Sequence, residues 1–262
     1  MTIEALPFVN WIFWAALSGG SMLVVGITEL LGGTTRGYRL FMAGFFVVCA
    51  AIWALSELNL PPMGSGNVPA AATEALRRPL VLAWGAVSVV YLLLSVRNAP
   101  RAWLAVAGGT LGLVVLVILA VAGGTEMTAL FAGQLVLIAL VLGSVNAAML
   151  LGHWYLVTPQ LSPDPLRRMM ALLLAGLVVQ ALAFGLAVAL GPDATTGEMG
   201  WLTWLRLVAG ILIPIVATIL AWLATRAASL QASTGLLYIG LALIIAGSIA
   251  GPSIAYLTGV PV

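Results

Sequence analysis

The sequence predicts an all-α integral membrane protein, and three observations carry that class. Hydrophobic side chains make up 63% of the 262 residues and charged ones only 7%, where soluble domains carry roughly 25% charged residues. The mean hydropathy is +1.17. The apolar residues gather into eight runs, each close to the roughly 20 residues that cross a 30 Å hydrocarbon core as a helix.

The runs lie near 9–31, 39–60, 79–96, 102–123, 127–155, 166–190, 200–224 and 233–257. The first holds the small residues Ser18 to Ser21, which let neighbouring backbones approach where lipid gives helices no hydrophobic reason to associate. It ends at "ELLGG" with Glu29. The second follows Arg36 and Arg39, contains the single cysteine Cys49, and ends at Glu57. A Pro-, Gly- and Ala-rich connection over 59–78 leads to the third, which "RNAPRA" joins to the fourth as a hairpin through Pro100. Gly108 and Gly112 mark a packing face on the fourth. The fifth is the most polar, with Gln134, Asn146 and His153, the only histidine. In "SPDPLRR", Ser162 or Asp164 can cap the sixth run and Pro165 suits a first turn. Arg206 and Pro214 fall in the seventh run, and Gly247, Gly251 and Pro252 in the eighth; the prolines predict kinks or freed carbonyls.

Arginine placement orients the runs. The odd-numbered connections hold Arg36, Arg39, Arg97, Arg101, Arg167, Arg168 and Arg226. The other side holds Arg77 and Arg78 with most of the acids, Glu4, Glu74, Glu126, Asp193 and Glu198. The positive-inside rule then puts both termini on the outer side of the inner (cytoplasmic) membrane. Trp11, Trp14, Trp201 and Trp204 would mark the outer boundary, and Trp103, Trp154 and Trp222 the inner one. "MTIEALPFVNWIFW" lacks the basic start of a cleavable signal and carries Glu4.

The halves align: "ELLGGTTRGYRLFMAGFFV" runs alongside "MLLGHWYLVTPQLSPDPLRRMMALLLAGLVV", and two later helices end at Arg97 and Arg226. Four helices return the chain to its starting side, so residues 1–126 and 127–262 would be tandem parallel four-helix units. In that alignment His153 stands where the first unit has Gly33.

Ionisable groups inside a span cost about 2.5–3.5 kcal/mol at the centre on insertion scales and usually face protein or a polar cavity. Glu29 and His153 lie near the inner ends of the first and fifth runs. They either meet as a carboxylate–imidazole pair that handles protons near neutral pH, or each reaches separately to the inner headgroups. Glu57 and Arg206 lie toward the outer side, as a structural ion pair or as the two sides of a quinone or anion pocket. Asn146 and His153, seven residues apart, fall within about 20° on one helix face.

Much chemistry is excluded. Bis-histidine haem needs two histidines, and neither a multi-histidine metal site nor a cysteine zinc site can be built. There is no phosphate-binding loop, no Ser/His/Asp grouping, no CxxC, and no loop long enough for a catalytic domain. A net charge of +2 points to no nucleic-acid partner. The opening "WIFWAALSGGSMLVVGITELLGG" resembles the first helix of the quinol-binding membrane subunits of the polysulfide-reductase class, which the count of eight helices also matches. That resemblance implies a quinone-binding membrane subunit.

The sequence thus predicts a membrane subunit of an electron-transfer or energy-converting complex. It would bind a quinone, or a haem or chlorophyll through one ligand, near His153, Asn146 and Glu29. Its partners would be the lipid bilayer and other membrane or peripheral subunits, with no catalytic residue or metal site of its own. A proton-coupled transporter of small solutes or ions, and a structural or assembly protein, are the alternatives.

Overall fold

The structure is a computed structural model that describes residues 5–60, 73–99, 101–122, 128–158, 161–190, 195–197 and 199–261. Eight helices, each long and apolar enough to cross a membrane, follow in order. They are α1 (Leu6–Leu30), α2 (Arg36–Leu58), α3 (Glu74–Val96), α4 (Ala102–Ala122), α5 (Thr128–Val157), α6 (Asp164–Leu190), α7 (Gly200–Arg226) and α8 (Leu230–Thr258). The described residues form no strand.

Local chemistry sets the ends. Pro7 sits in the first turn of α1, where a missing N–H costs nothing. The Thr35 hydroxyl accepts from the Tyr38 N–H at 3.3 Å and caps α2. At α6 the Ser162 hydroxyl accepts from the Asp164 N–H at 3.3 Å, and Pro165 occupies the first turn. Gly259 closes α8 in the left-handed conformation at φ 74°, which only glycine adopts without strain. The helix α3 starts at Glu74 and carries Pro79 within it, so Arg77 and Arg78 are helical rather than part of the preceding connection. A proline so near a helix start forfeits only a bond to Ala75. Glu4, Pro100, Glu126, Asp193, Glu198 and most of the connection over 59–78 lie outside the described residues.

The helices α1 and α5 form the centre. Each is 78% buried over its most apolar stretch, while the other six reach only 28–44%. They cross where a Cβ on Gly20 would overlap the Ala139 carbonyl oxygen, and one on Gly143 would overlap the Gly20 backbone. A second close crossing joins α1 to α4, with Gly19 against Gly112 and Gly109 against Leu23. Each central helix packs on its partner and on the second and fourth helices of its own half: α1 on α2 and α4, α5 on α6 and α8. Small residues in "ALSGGS" and "VLGSVNAA" therefore act as packing surfaces. A further cluster, Phe184, Leu202, Ile211 and Ile254, binds α6, α7 and α8 together.

Within α7 the chain widens into a π turn over Val208–Leu212. Pro214 follows at once, and it has no N–H for the Gly210 carbonyl four residues earlier; a π turn is a common way for a helix to absorb such a gap. Gly210 lies against Gly247 of α8 at this point.

The odd connections converge at one end of the bundle. Arg36 donates to the Val96 carbonyl at 3.2 Å, and Arg168 donates to the carbonyls of Leu31 and Gly32 at 2.9 and 3.2 Å. Both guanidiniums thereby meet the negative end of a helix. We call this the arginine-rich end.

Candidate functional site

Three polar constellations stand out, and none holds either of the two pairings that the sequence offers. Toward the termini, Glu57 of α2 is held by Arg77 of α3, with Nε donating to Oε2 and Nη2 to Oε1, both at 2.9 Å. The Trp11 indole N–H donates to Oε2 at 2.7 Å, and the guanidinium lies 5.5 Å from the Trp11 ring centre. Both charged side chains are 2% exposed, so this fork is desolvated and satisfied from several directions. Trp11 stacks edge-on against Trp53, and Trp53 against Trp84, at 5.6 and 5.3 Å. Trp11 is thus a core residue, not a boundary marker, because its N–H has a buried carboxylate to serve. Trp201, Trp204 and Trp103 are exposed.

Glu57 therefore does not pair with Arg206, because Arg77 takes both of its oxygens. Arg206 is itself buried, and its Nη1 donates to the Gly247 carbonyl at 2.9 Å. Its Nε has no hydrogen-bond partner among the described residues. Gly251 makes the room, since a Cβ there would meet the guanidinium at 2.8 Å.

At the arginine-rich end Glu29 is shared. Arg101 reaches Oε1 at 2.9 Å and Arg39 lies 3.5 Å from the same oxygen. The Tyr91 hydroxyl donates to Oε2 at 3.1 Å, and Arg39 also lies 3.4 Å from Asn98 Oδ1. Glu29 ties α1, α2, α3 and the start of α4 together. It does not meet His153, because two arginines and a tyrosine already surround its carboxylate.

His153 is exposed at the same end of α5. Its Nδ1 lies 3.2 Å from the Tyr238 hydroxyl of α8, and the two rings meet edge-on at 6.4 Å. Asn146 is buried and donates to the Ser21 hydroxyl of α1 at 3.0 Å. The shared helix face is thus divided. At Asn146 it is covered by α1, and about 10 Å further along, at 1.5 Å per residue, it is only flanked by Tyr238. Asn146 locks the central helix pair and stands apart from His153. Trp154 packs against Gly37 of α2, and the Tyr155 hydroxyl donates to the Ser162 carbonyl at 2.8 Å.

The partners missed in the sequence are Arg77, Tyr91, Arg101 and Tyr238. For Arg101 and Arg39 the signal is present, since both fall on the same side as Glu29. Tyr238 sits about two turns from the start of α8 at the level of His153, a depth match that the sequence offers.

Among the described residues, no three His, Cys, Asp or Glu side chains converge as metal ligands. The sequence matches no protein-family model and no curated protein. The likeness to polysulfide-reductase membrane subunits thus stays with the first helix and the helix count.

Proposed function

We propose that the chain is a multi-pass protein of the inner (cytoplasmic) membrane, with both termini outside and the arginine-rich end in the cytoplasm. It would be built as tandem parallel four-helix units over 1–126 and 127–262. Eight apolar helices support the bilayer assignment, and seven of the ten arginines on one side support the orientation. The equivalent packing of α1 and α5 on their own halves supports the two units.

Its role would be that of a membrane subunit in an electron-transfer or energy-converting assembly, carrying a redox-active amphiphile at His153 and Tyr238. The observation that carries this reading is the 3.2 Å His153–Tyr238 contact, held at the perimeter of the bundle. The other strong polar pairs are committed internally. If Nδ1 accepts the tyrosine proton, Nε2 bears an N–H that can donate to a quinone carbonyl. If Nδ1 donates to Tyr238 instead, Nε2 has a lone pair for the metal of a haem or chlorophyll. An absorption spectrum of the purified protein with organic extraction for quinones tests the reading. Extracted quinone or tetrapyrrole bands are the expected result, and a colourless, quinone-free protein with intact fold overturns it.

A second reading, an assembly scaffold without cofactor, draws on the same structure, because Glu29 and Glu57 are consumed by arginines of the chain. That engagement weakens the transporter reading, which needs Glu29 free to take up a proton or ion.

A further inference from the structure

The helices α6 and α7 leave an open groove between them of about 560 Å³, lined only by apolar side chains such as Ala171, Ala175, Val178, Ile219 and Leu223. Along α6 it runs from Ala171 to Val179, about 12 Å at 1.5 Å per residue. That is close to the roughly 15 Å depth of one leaflet of a 30 Å hydrocarbon core. Trp222 lines the groove and also a second hollow of about 300 Å³ at the arginine-rich end, whose other walls are Arg167 and Arg226. The two spaces adjoin at Trp222, the first apolar along its length and the second doubly basic; together they are called the channel.

The charges at the mouth are weakly used. Arg226 is exposed in the last turn of α7. Arg167 has one contact with Asp164 at 3.4 Å, between partly exposed side chains, a pairing worth little in water. The buried Nε of Arg167 has no hydrogen-bond partner among the described residues. A tryptophan beside two arginines is the equipment of a headgroup boundary, and guanidiniums suit phosphate because they offer parallel N–H donors.

We infer that this channel is a binding site for an anionic phospholipid of the cytoplasmic leaflet. Its phosphate lies between Arg167 and Arg226, and one acyl chain lies in the groove between α6 and α7. Basic clefts between membrane helices on the cytoplasmic side take such headgroups in general. Charge complementarity favours this occupant: a zwitterionic lipid sets its own headgroup cation against two guanidiniums, and an apolar partner helix brings no anion to them. The inference rests on the bilayer assignment and the orientation proposed above, and is independent of His153.

The test is thermal unfolding of the detergent-purified protein with added dioleoylphosphatidylglycerol or dioleoylphosphatidylcholine, alongside mass spectrometry of co-purified lipid. Phosphatidylglycerol should raise the Tm and be retained, and phosphatidylcholine should do neither. Arg167→Gln with Arg226→Gln should lower retention of the anionic lipid by about tenfold, and Ala175→Trp should reduce it by blocking the groove with both arginines intact. Equal effects of the two lipids on the wild-type chain would overturn the site without recourse to any variant. So would retention unchanged in the double variant. Fractionation of the same cells reads the bilayer assignment separately: a chain found in the soluble fraction fails that assignment, whereas a membrane-bound chain indifferent to headgroup charge fails only the site.

Discussion

At the scale of single residues, two buried charges among the described residues stand in contrast: Glu57 is fully answered and Arg206 is not. Glu57 receives both arms of Arg77 and the Trp11 N–H. Glu57→Gln should therefore leave a desolvated guanidinium and lower stability by about 3–5 kcal/mol, whereas Glu57→Leu with Arg77→Met should recover most of that loss. Thermal unfolding in detergent checks both; equal Tm values for wild type and Glu57→Gln would show that the pair contributes nothing. Arg206 is the contrast, with one bond to a carbonyl and no acid beside it among the described residues. Arg206→Met removes a buried charge of similar volume, so its Tm should equal or exceed that of the wild type. A fall as large as that of Glu57→Gln would show that Arg206 is bound to more than Gly247. The sequence made Glu57 and Arg206 visible as costly, and the ion pair it offers between them does not form. Glu57 and Arg206 match in depth, but depth is one coordinate, and Pro79 makes Arg77 read as part of a connection although the helix already starts at Glu74.

At the scale of helices, small residues decide which backbones touch. The α1–α5 crossing leaves no space at Gly20, whose added Cβ would overlap the Ala139 carbonyl, while Gly44 of α2 has no atom within 4 Å of that position. Gly20→Ala should force the central pair apart at a cost of 1–3 kcal/mol or more. Gly44→Ala should be neutral or stabilising by up to about 1 kcal/mol. The yield of monodisperse protein and its Tm read the difference; if the two variants behaved alike, the central crossing would be misplaced. Helix number and most boundaries were legible because hydropathy over some 20 residues is a strong signal. The face that each helix turns inward was not, since nearly uniform apolar runs such as α4 and α8 have little periodicity to read. In α5 the same limit joined Asn146 to His153 on one face, although a neighbouring helix covers only the first.

At the scale of the whole molecule, seven arginines gather at one end of the bundle and set its proposed orientation. In a Cys49→Ala background, a cysteine at Ser229 should react with an impermeant maleimide only after the cytoplasmic face is opened, and one at Thr258 from the outside of intact cells; both positions are exposed. Reversed labelling would turn the molecule over and move Arg167 and Arg226 to the wrong leaflet for their lipid. Composition made the eight membrane-length apolar helices legible from the outset, and the paired packing of α1 and α5 supports the proposed tandem units. The proposed site was only half legible: His153 stands out as the sole histidine, while Tyr238 shares with it only a depth, which many residues share. The most direct test of the proposed role is quinone and pigment content of the purified wild-type chain against His153→Ala and Tyr238→Phe. The account predicts cofactor near one per chain in the wild type, lost in His153→Ala and diminished in Tyr238→Phe, with Tm unchanged. A wild-type chain without cofactor, or equal content in all three, would contradict it.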